Sequence, residues 1–282
     1  FCTGRNGKVW TARATQPGWS GWTTLTALGL FVAMSDPRVQ EWVLLDGNLF
    51  EKENTPYSEE AQGITTDGVN WYLTSNGDDS LRMFDCDQSQ LASMGTTPIW
   101  PTGSIHTSAP GYYNGTVYVP IQKVYGVWRV NAAMTTREWL PYVDTGNDIL
   151  PWCDVNPLNG RLYTSLYGDF LGRAPILLAY DRHTLRRCSE DDIVLSAPPD
   201  YLCTAPELGG RPLGAGQIYF VQGGVFTAGG RVILTCHEPN TLYCCSSLTG
   251  YCFDGLITGN FGTSGSELEG LTVWPRVSNG QR

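Results

Sequence analysis

Short apolar stretches alternate with glycine turns along most of the chain. The stretch Gly63-Ile64-Thr65-Thr66-Asp67-Gly68-Val69-Asn70-Trp71-Tyr72 reads as strand, tight turn, strand. The same phrase returns from Gly111 to Val119, from Val155 to Tyr163 and from Val225 to Leu234. Asp-Gly, Asn-Gly and Gly-Gly favour the left-handed turns of two-stranded hairpins, so each copy predicts a β-hairpin. Further strand-like runs follow: Leu81 to Asp85, Gly126 to Val130 and Ile176 to Tyr180. The segment from Glu269 to Trp274 looks like a fifth first strand without its hairpin partner.

Alignment on the turn glycines puts Glu60, Thr107, Trp152, Gln222 and Glu267 in register. Most steps are about 45 residues, the period of a four-stranded propeller blade. One longer step holds a Pro/Gly-rich insertion near 197–217, expected as a long loop. The missing strands of the last copy are sought at the other end of the chain, in Lys8 to Ala12, Gly29 to Met34 and Gln40 to Leu45. The expected fold is therefore all-β: one domain over residues 1–282, a five-bladed β-propeller closed by a blade shared between the N- and C-termini. Six blades are the alternative.

Composition narrows the setting. The 282 residues carry 27 acidic and 18 basic side chains, a net charge of -9. Nucleic-acid surfaces need clustered Lys and Arg, so no nucleic-acid partner is expected. No apolar run reaches the length of a membrane-spanning helix. The nine cysteines form no Cys-x-x-Cys pair, and only three histidines accompany them. Disulfides in a secreted protein are the expected use. The count is odd, so at least one thiol is free or pairs between chains, and Cys153 is assigned as the unpaired one. Cys236 and Cys252 are candidate partners, and Cys188 and Cys203 flank the insertion. A first residue of Phe rather than Met is what signal-peptide removal would leave. Asn114-Gly115-Thr116 is a glycosylation sequon.

In a propeller the first strand of every blade lines the axis, so residues far apart in sequence meet there. That set holds Glu60, Gln62, His106, Thr107, Trp152, Asp154, Gln222, Glu267 and Glu269. Gathered carboxylates and a histidine can shift each other's proton affinity and do acid/base work. Glu60, His106, Asp154 and Glu269 are the candidate proton donors and acceptors. Gln62, Thr107, Trp152, Gln222 and Glu267 are the candidate substrate contacts, with Trp152 as a stacking wall. No metal or organic cofactor is expected, although the same carboxylates could hold Ca2+ through oxygen. Trp71, Trp128 and Tyr118 read as blade core.

The phrases Glu60-Ala61-Gln62-Gly63-Ile64, Pro151-Trp152-Cys153-Asp154-Val155-Asn156-Pro157, Gln222-Gly223-Gly224-Val225-Phe226 and Glu267-Leu268-Glu269-Gly270-Leu271-Thr272-Val273-Trp274 resemble secreted microbial propeller proteins. In its size, cysteine content and sequon the chain also resembles fungal hetero-Diels–Alderases of tropolonic sesquiterpenoid biosynthesis. That resemblance implies a cofactor-independent pericyclase. It would form an o-quinone methide from a hydroxymethyl tropolone or phenol and join it to a humulene-type alkene. Small molecules would be the partners of a monomer. The rival expectations are a carbohydrate-binding propeller lectin and a metal-dependent propeller hydrolase or lyase. A lectin keeps one near-identical site per blade, whereas the register positions here hold Glu, Thr, Trp, Gln and Glu.

Overall fold

The computed structural model describes residues 13–14, 22–25, 29–33, 40–44, 49–52, 61–85, 89–95, 106–122, 125–142, 150–166, 176–196, 218, 221–236, 241–255 and 267–273. Four four-stranded antiparallel meanders stand among them. Blade I comprises Ala61–Thr66, Trp71–Ser75, Ser80–Phe84 and Gln90–Gly95. Blade II comprises Gly111–Tyr113, Thr116–Ile121, Gly126–Asn131 and Arg137–Pro141. Blade III comprises Asp154–Val155, Leu162–Ser165, Ile176–Tyr180 and Ile193–Val194. Blade IV comprises Val221–Phe226, Arg231–Cys236, Thr241–Ser246 and Cys252–Gly255. The all-β propeller expected from the repeat is present. All four hairpins read from the Gly turns form the first two strands of a blade.

The number of blades differs from expectation: four, rather than five or six, are complete among the described residues. The remaining strands form three two-stranded pairs instead of one four-stranded sheet. Gly29–Ala33 pairs with Gln40–Leu44, and Trp22–Leu25 pairs with Leu49–Lys52. The two ends of the chain meet where Arg13–Ala14 pairs antiparallel with Glu267–Leu268. Lys8 to Ala12, expected as a strand, lies outside the described residues, as does the insertion at 197–217. No helix among the described residues is long and apolar enough to cross a membrane.

The core lies between blades rather than in one central mass. Alternate residues of a strand face opposite neighbours. In the second strand of blade II, Val117, Val119 and Ile121 pack with Tyr72 and Leu81 of blade I. Tyr118 points the other way and packs with Val155, Leu162 and Tyr180 of blade III. Trp71, Trp128 and Tyr118 are buried, as the strand spacing predicts. Each of the three junctions between consecutive complete blades also has an aromatic pair: Tyr72–Tyr112, Tyr142–Tyr180 and Tyr163–Phe226, with centroids 6.3, 4.9 and 5.2 Å apart. Such pairs add about 0.5–1.5 kcal/mol beyond their buried area.

The cysteine pairing also differs. Cys245 bonds Cys252, its direct cross-strand neighbour in blade IV, with Cα atoms 4.0 Å apart. The suggested partner of Cys252, Cys236, lies opposite Thr241 at the far end of that hairpin and is out of reach. Cys153 is a buried free thiol, and so are Cys188 and Cys244.

Candidate functional site

The innermost strands approach so closely at one level that only very small residues fit. A Cβ on Gly63 would stand 2.3 Å from the Cα of Ala109. One on Gly270 would stand 2.6 Å from the Cα of Gly63, and one on Gly223 would stand 2.7 Å from the Cα of Gly270. Real side chains do not approach this closely, so backbone meets backbone and Gly is required. Hydrogen bonds tie the ring: Gly270 N–H donates to the Gln62 carbonyl at 3.1 Å, and Ala109 N–H donates to the Pro151 carbonyl at 3.0 Å. Thr74 Oγ1 donates to the Ser108 carbonyl at 2.9 Å, binding blade I to blade II.

A polar residue precedes each small one: Gln62 before Gly63, Ser108 before Ala109, Gln222 before Gly223 and Glu269 before Gly270. All four are buried. Gln62 and Gln222 occupy equivalent bulges, each the unpaired residue in its hairpin ladder. A bulge adds one residue to one strand and re-aims its side chain. Two amides, one hydroxyl and one carboxylate thus occupy the residue before the close contact in blades I, II and IV and in the C-terminal strand. Thr107 is fully buried next to Ser108. Among the described residues, Thr107 Oγ1, Ser108 Oγ and Thr235 Oγ1 are buried without a hydrogen-bond partner. An unsatisfied buried hydroxyl costs about 1–3 kcal/mol, which a bound polar group would recover.

This register corrects the one read from turn glycines. That reading set Gln222 beside Glu60 and Glu267, whereas the structure sets it beside Gln62 and Glu269. The reason is local. Blade I turns through Asp67 to Asn70 while blade II turns on Asn114-Gly115 alone, and the bulges offset the count further. Glu60 lies outside the described residues. Glu267 is in the strand that meets Ala14. His106 is half-buried, and its carbonyl accepts from Gln122 N–H at 2.9 Å. Ser108 and Thr235 were missed by the sequence reading. The recurring pair of a polar residue before Gly or Ala was the available signal for Ser108.

Two expected site residues serve packing instead. Trp152 is fully buried: its indole N–H donates to Ser165 Oγ at 2.8 Å, and its ring fills the space a Cβ on Gly224 would need. With no ring face open, it cannot act as a stacking wall for a ligand. Asp154 is buried, and its Oδ2 accepts from Phe226 N–H of blade IV at 2.7 Å. Backbone N–H groups of Val155 and of Tyr112 in blade II also donate to it. Its carboxylate therefore clasps the innermost strands of blades II, III and IV. Burial raises its pKa to about 7, against the opposing pull of those three donors. Cys153, beside it, is pushed well above the ordinary thiol range by burial and is inert as a nucleophile.

The one group of potential metal ligands among the described residues is Cys188, Glu190 and Asp191, with donor atoms within 4.8 Å of one another. It belongs to blade III rather than to the axial ring. Asp191 there already accepts from Arg161 Nε at 2.7 Å.

No protein-family model matches the chain, and a search of curated proteins finds no match. Among solved structures it is similar to a chain of a nidogen/laminin complex at 11% identity, covering 86% of this chain and 74% of that one, with a TM-score of 0.50. It also aligns with virginiamycin B lyase from Staphylococcus aureus at 9% identity, covering 92% of this chain and 69% of that one, with a TM-score of 0.47. Glutaminyl cyclase from Myxococcus xanthus aligns at 12% identity over 75% of this chain and 69% of that one, with a TM-score of 0.46. At such identities similarity speaks to fold alone, and by fold the chain is a β-propeller.

Proposed function

We propose that the chain is a cofactor-independent hetero-Diels–Alderase with one small-molecule site beside the propeller axis. In this reading it dehydrates a hydroxymethyl tropolone or phenol to an o-quinone methide and joins that to a humulene-type alkene. The observation that carries the proposal is the single, asymmetric ring of buried Gln62, Ser108, Gln222 and Glu269. A lectin would repeat one residue at all of these positions, whereas Gln recurs at only two of the four, and an acid beside amides and a hydroxyl suits one polar head group.

The chemistry needs few parts. An acid delivers a proton to the leaving hydroxyl as a base takes the phenol proton, and water departs. Glu269 is assigned as the acid and His106 as the base. Gln62 and Gln222 donate hydrogen bonds to the tropolone oxygens. The cycloaddition then forms one C–C and one C–O bond with no further proton transfer, and positioning supplies most of the acceleration. The ring is proposed to be closed by a fifth blade shared between the termini, a reading that the pairing of Arg13–Ala14 with Glu267–Leu268 favours. The protein is proposed to be a secreted monomer, in keeping with the Cys245–Cys252 disulfide.

The test is incubation of purified protein with a hydroxymethyl tropolone and a humulene-type alkene, followed by chiral chromatography of the dihydropyran product. Enantioenriched product is expected from the wild type. Losses of about 100-fold or more are expected for E269Q and H106A. Racemic product at the uncatalysed rate, or full activity in both variants, would sink the assignment.

A further inference from the structure

Asn114-Gly115-Thr116 is the only Asn-x-Ser/Thr sequon in the chain. It forms the tip of the first hairpin of blade II. Tyr113 lies directly opposite Thr116, and Asn114 and Gly115 make the turn between them with φ of 46° and 82°. A two-residue turn with both residues left-handed is the hairpin type that Asn-Gly favours. Asn114 and Gly115 are exposed, and nothing lies within 4 Å of where a Cβ on Gly115 would be. The tip is at the end of its strand away from Ser108 and Ala109, so a large group there leaves the axial ring clear.

The hairpin also offers a surface for a sugar. Directly opposed residues of a ladder project to the same face, which puts Tyr113 and Thr116 side by side next to Asn114. Tyr113 is half-buried: its ring packs against the core between blades II and III with the Arg182 guanidinium 5.3 Å over its centre, and the remainder of the side chain meets solvent. The solvent-facing part of Tyr113 and the Thr116 methyl offer a first sugar apolar contact beside Asn114.

We propose that Asn114 carries an N-linked glycan whose first N-acetylhexosamine rests on Tyr113 and Thr116. The amide nitrogen of Asn114 attacks C1 of a polyprenyl-pyrophosphate-linked oligosaccharide. The N–C1 bond forms, the C1–O bond to pyrophosphate breaks, and the amide proton leaves with the released polyprenyl pyrophosphate or to water. The packed sugar then holds the hairpin closed. Such a glycan would stand whatever reaction the axial ring performs.

The experiment is secretion of the full chain from a yeast host beside the N114D and T116V variants. Asp keeps the left-handed turn, and Val keeps the branched shape at the cross-strand position. Peptide mapping and thermal unfolding are measured before and after enzymatic release of N-glycans. One glycan is expected, at Asn114, absent from both variants, and its release should lower the melting temperature to that of N114D. Wild-type protein that is unmodified, whether secreted or retained in the cell, overturns the site. A glycan whose release leaves the melting temperature unchanged overturns its packing on Tyr113.

Discussion

Gly63 and Ala109 meet backbone to backbone at the axis, where a methyl on Gly63 would stand 2.3 Å from the Ala109 Cα. The neighbouring atom belongs to the main chain and cannot swing aside, so blades I and II would have to part. Gly63→Ala is expected to cost about 3 kcal/mol, the upper end of overpacking penalties. Gly229→Ala is the control, because its nearest neighbour is 4.0 Å away. Urea unfolding of both variants measures the difference, and equal midpoints would show that the axis is not closed as described.

Trp152 should prove a structural residue. Trp152→Phe removes the donor to Ser165 and part of the ring lying against Gly224. Trp152→Ala leaves a cavity between blades and is expected to cost about 3–5 kcal/mol. Chemical denaturation reads the loss. A Trp152→Ala protein as stable as the wild type would restore the ring to a role at an open surface.

Asp154 gives a signed pH dependence. Its folded-state pKa is raised from 3.8 to about 7, so the folded protein holds this proton more tightly than the unfolded chain. The favourable contribution is complete below about pH 4 and is lost as pH rises to about 7. Over that window the group costs about 4 kcal/mol. Melting temperatures of wild type and Asp154→Asn, compared from pH 4 to pH 8, isolate this group. The wild type should lose ground to the variant as pH rises and then run parallel above about pH 7.5. A constant gap would mean that Asp154 is ionised throughout.

The Cys245–Cys252 bond closes a short loop, with a sequence separation of 7. The loop-entropy relation gives about 2 kcal/mol for so short a loop. The Cys245→Ser/Cys252→Ser double variant should lose about that much by denaturant titration under non-reducing conditions. Unchanged stability would show that the ladder of blade IV already restricts those two strands.

The blade hairpins were legible in the sequence because each depends on its own residues. Left-handed turn residues and alternating burial are properties of some ten consecutive positions, and Gly115, Gly160 and Gly230 hold the positive φ that their turns require. The polar character of the axis was legible too, since Gln62, Gln222 and Glu269 interrupt otherwise apolar first strands.

Their register and their roles depended on contacts between blades. Bulges at Gln62 and Gln222 and unequal turns shifted the alignment, so Glu269 rather than Glu267 shares their ring position. Asp154 read as a candidate acid until its carboxylate was seen to accept Phe226 N–H from another blade. Trp152 read as a ligand wall until Gly224 was found beneath its ring. Sequence alone determined an acidic, disulfide-bearing chain of repeated antiparallel hairpins with polar residues at the starts of the first strands. Tertiary structure alone decided which of those residues share a ring and which are consumed in packing. Hairpin turns are set by the dihedral preferences of adjacent residues, whereas solvation and hydrogen-bond partners at the axis are supplied by strands a blade or more away.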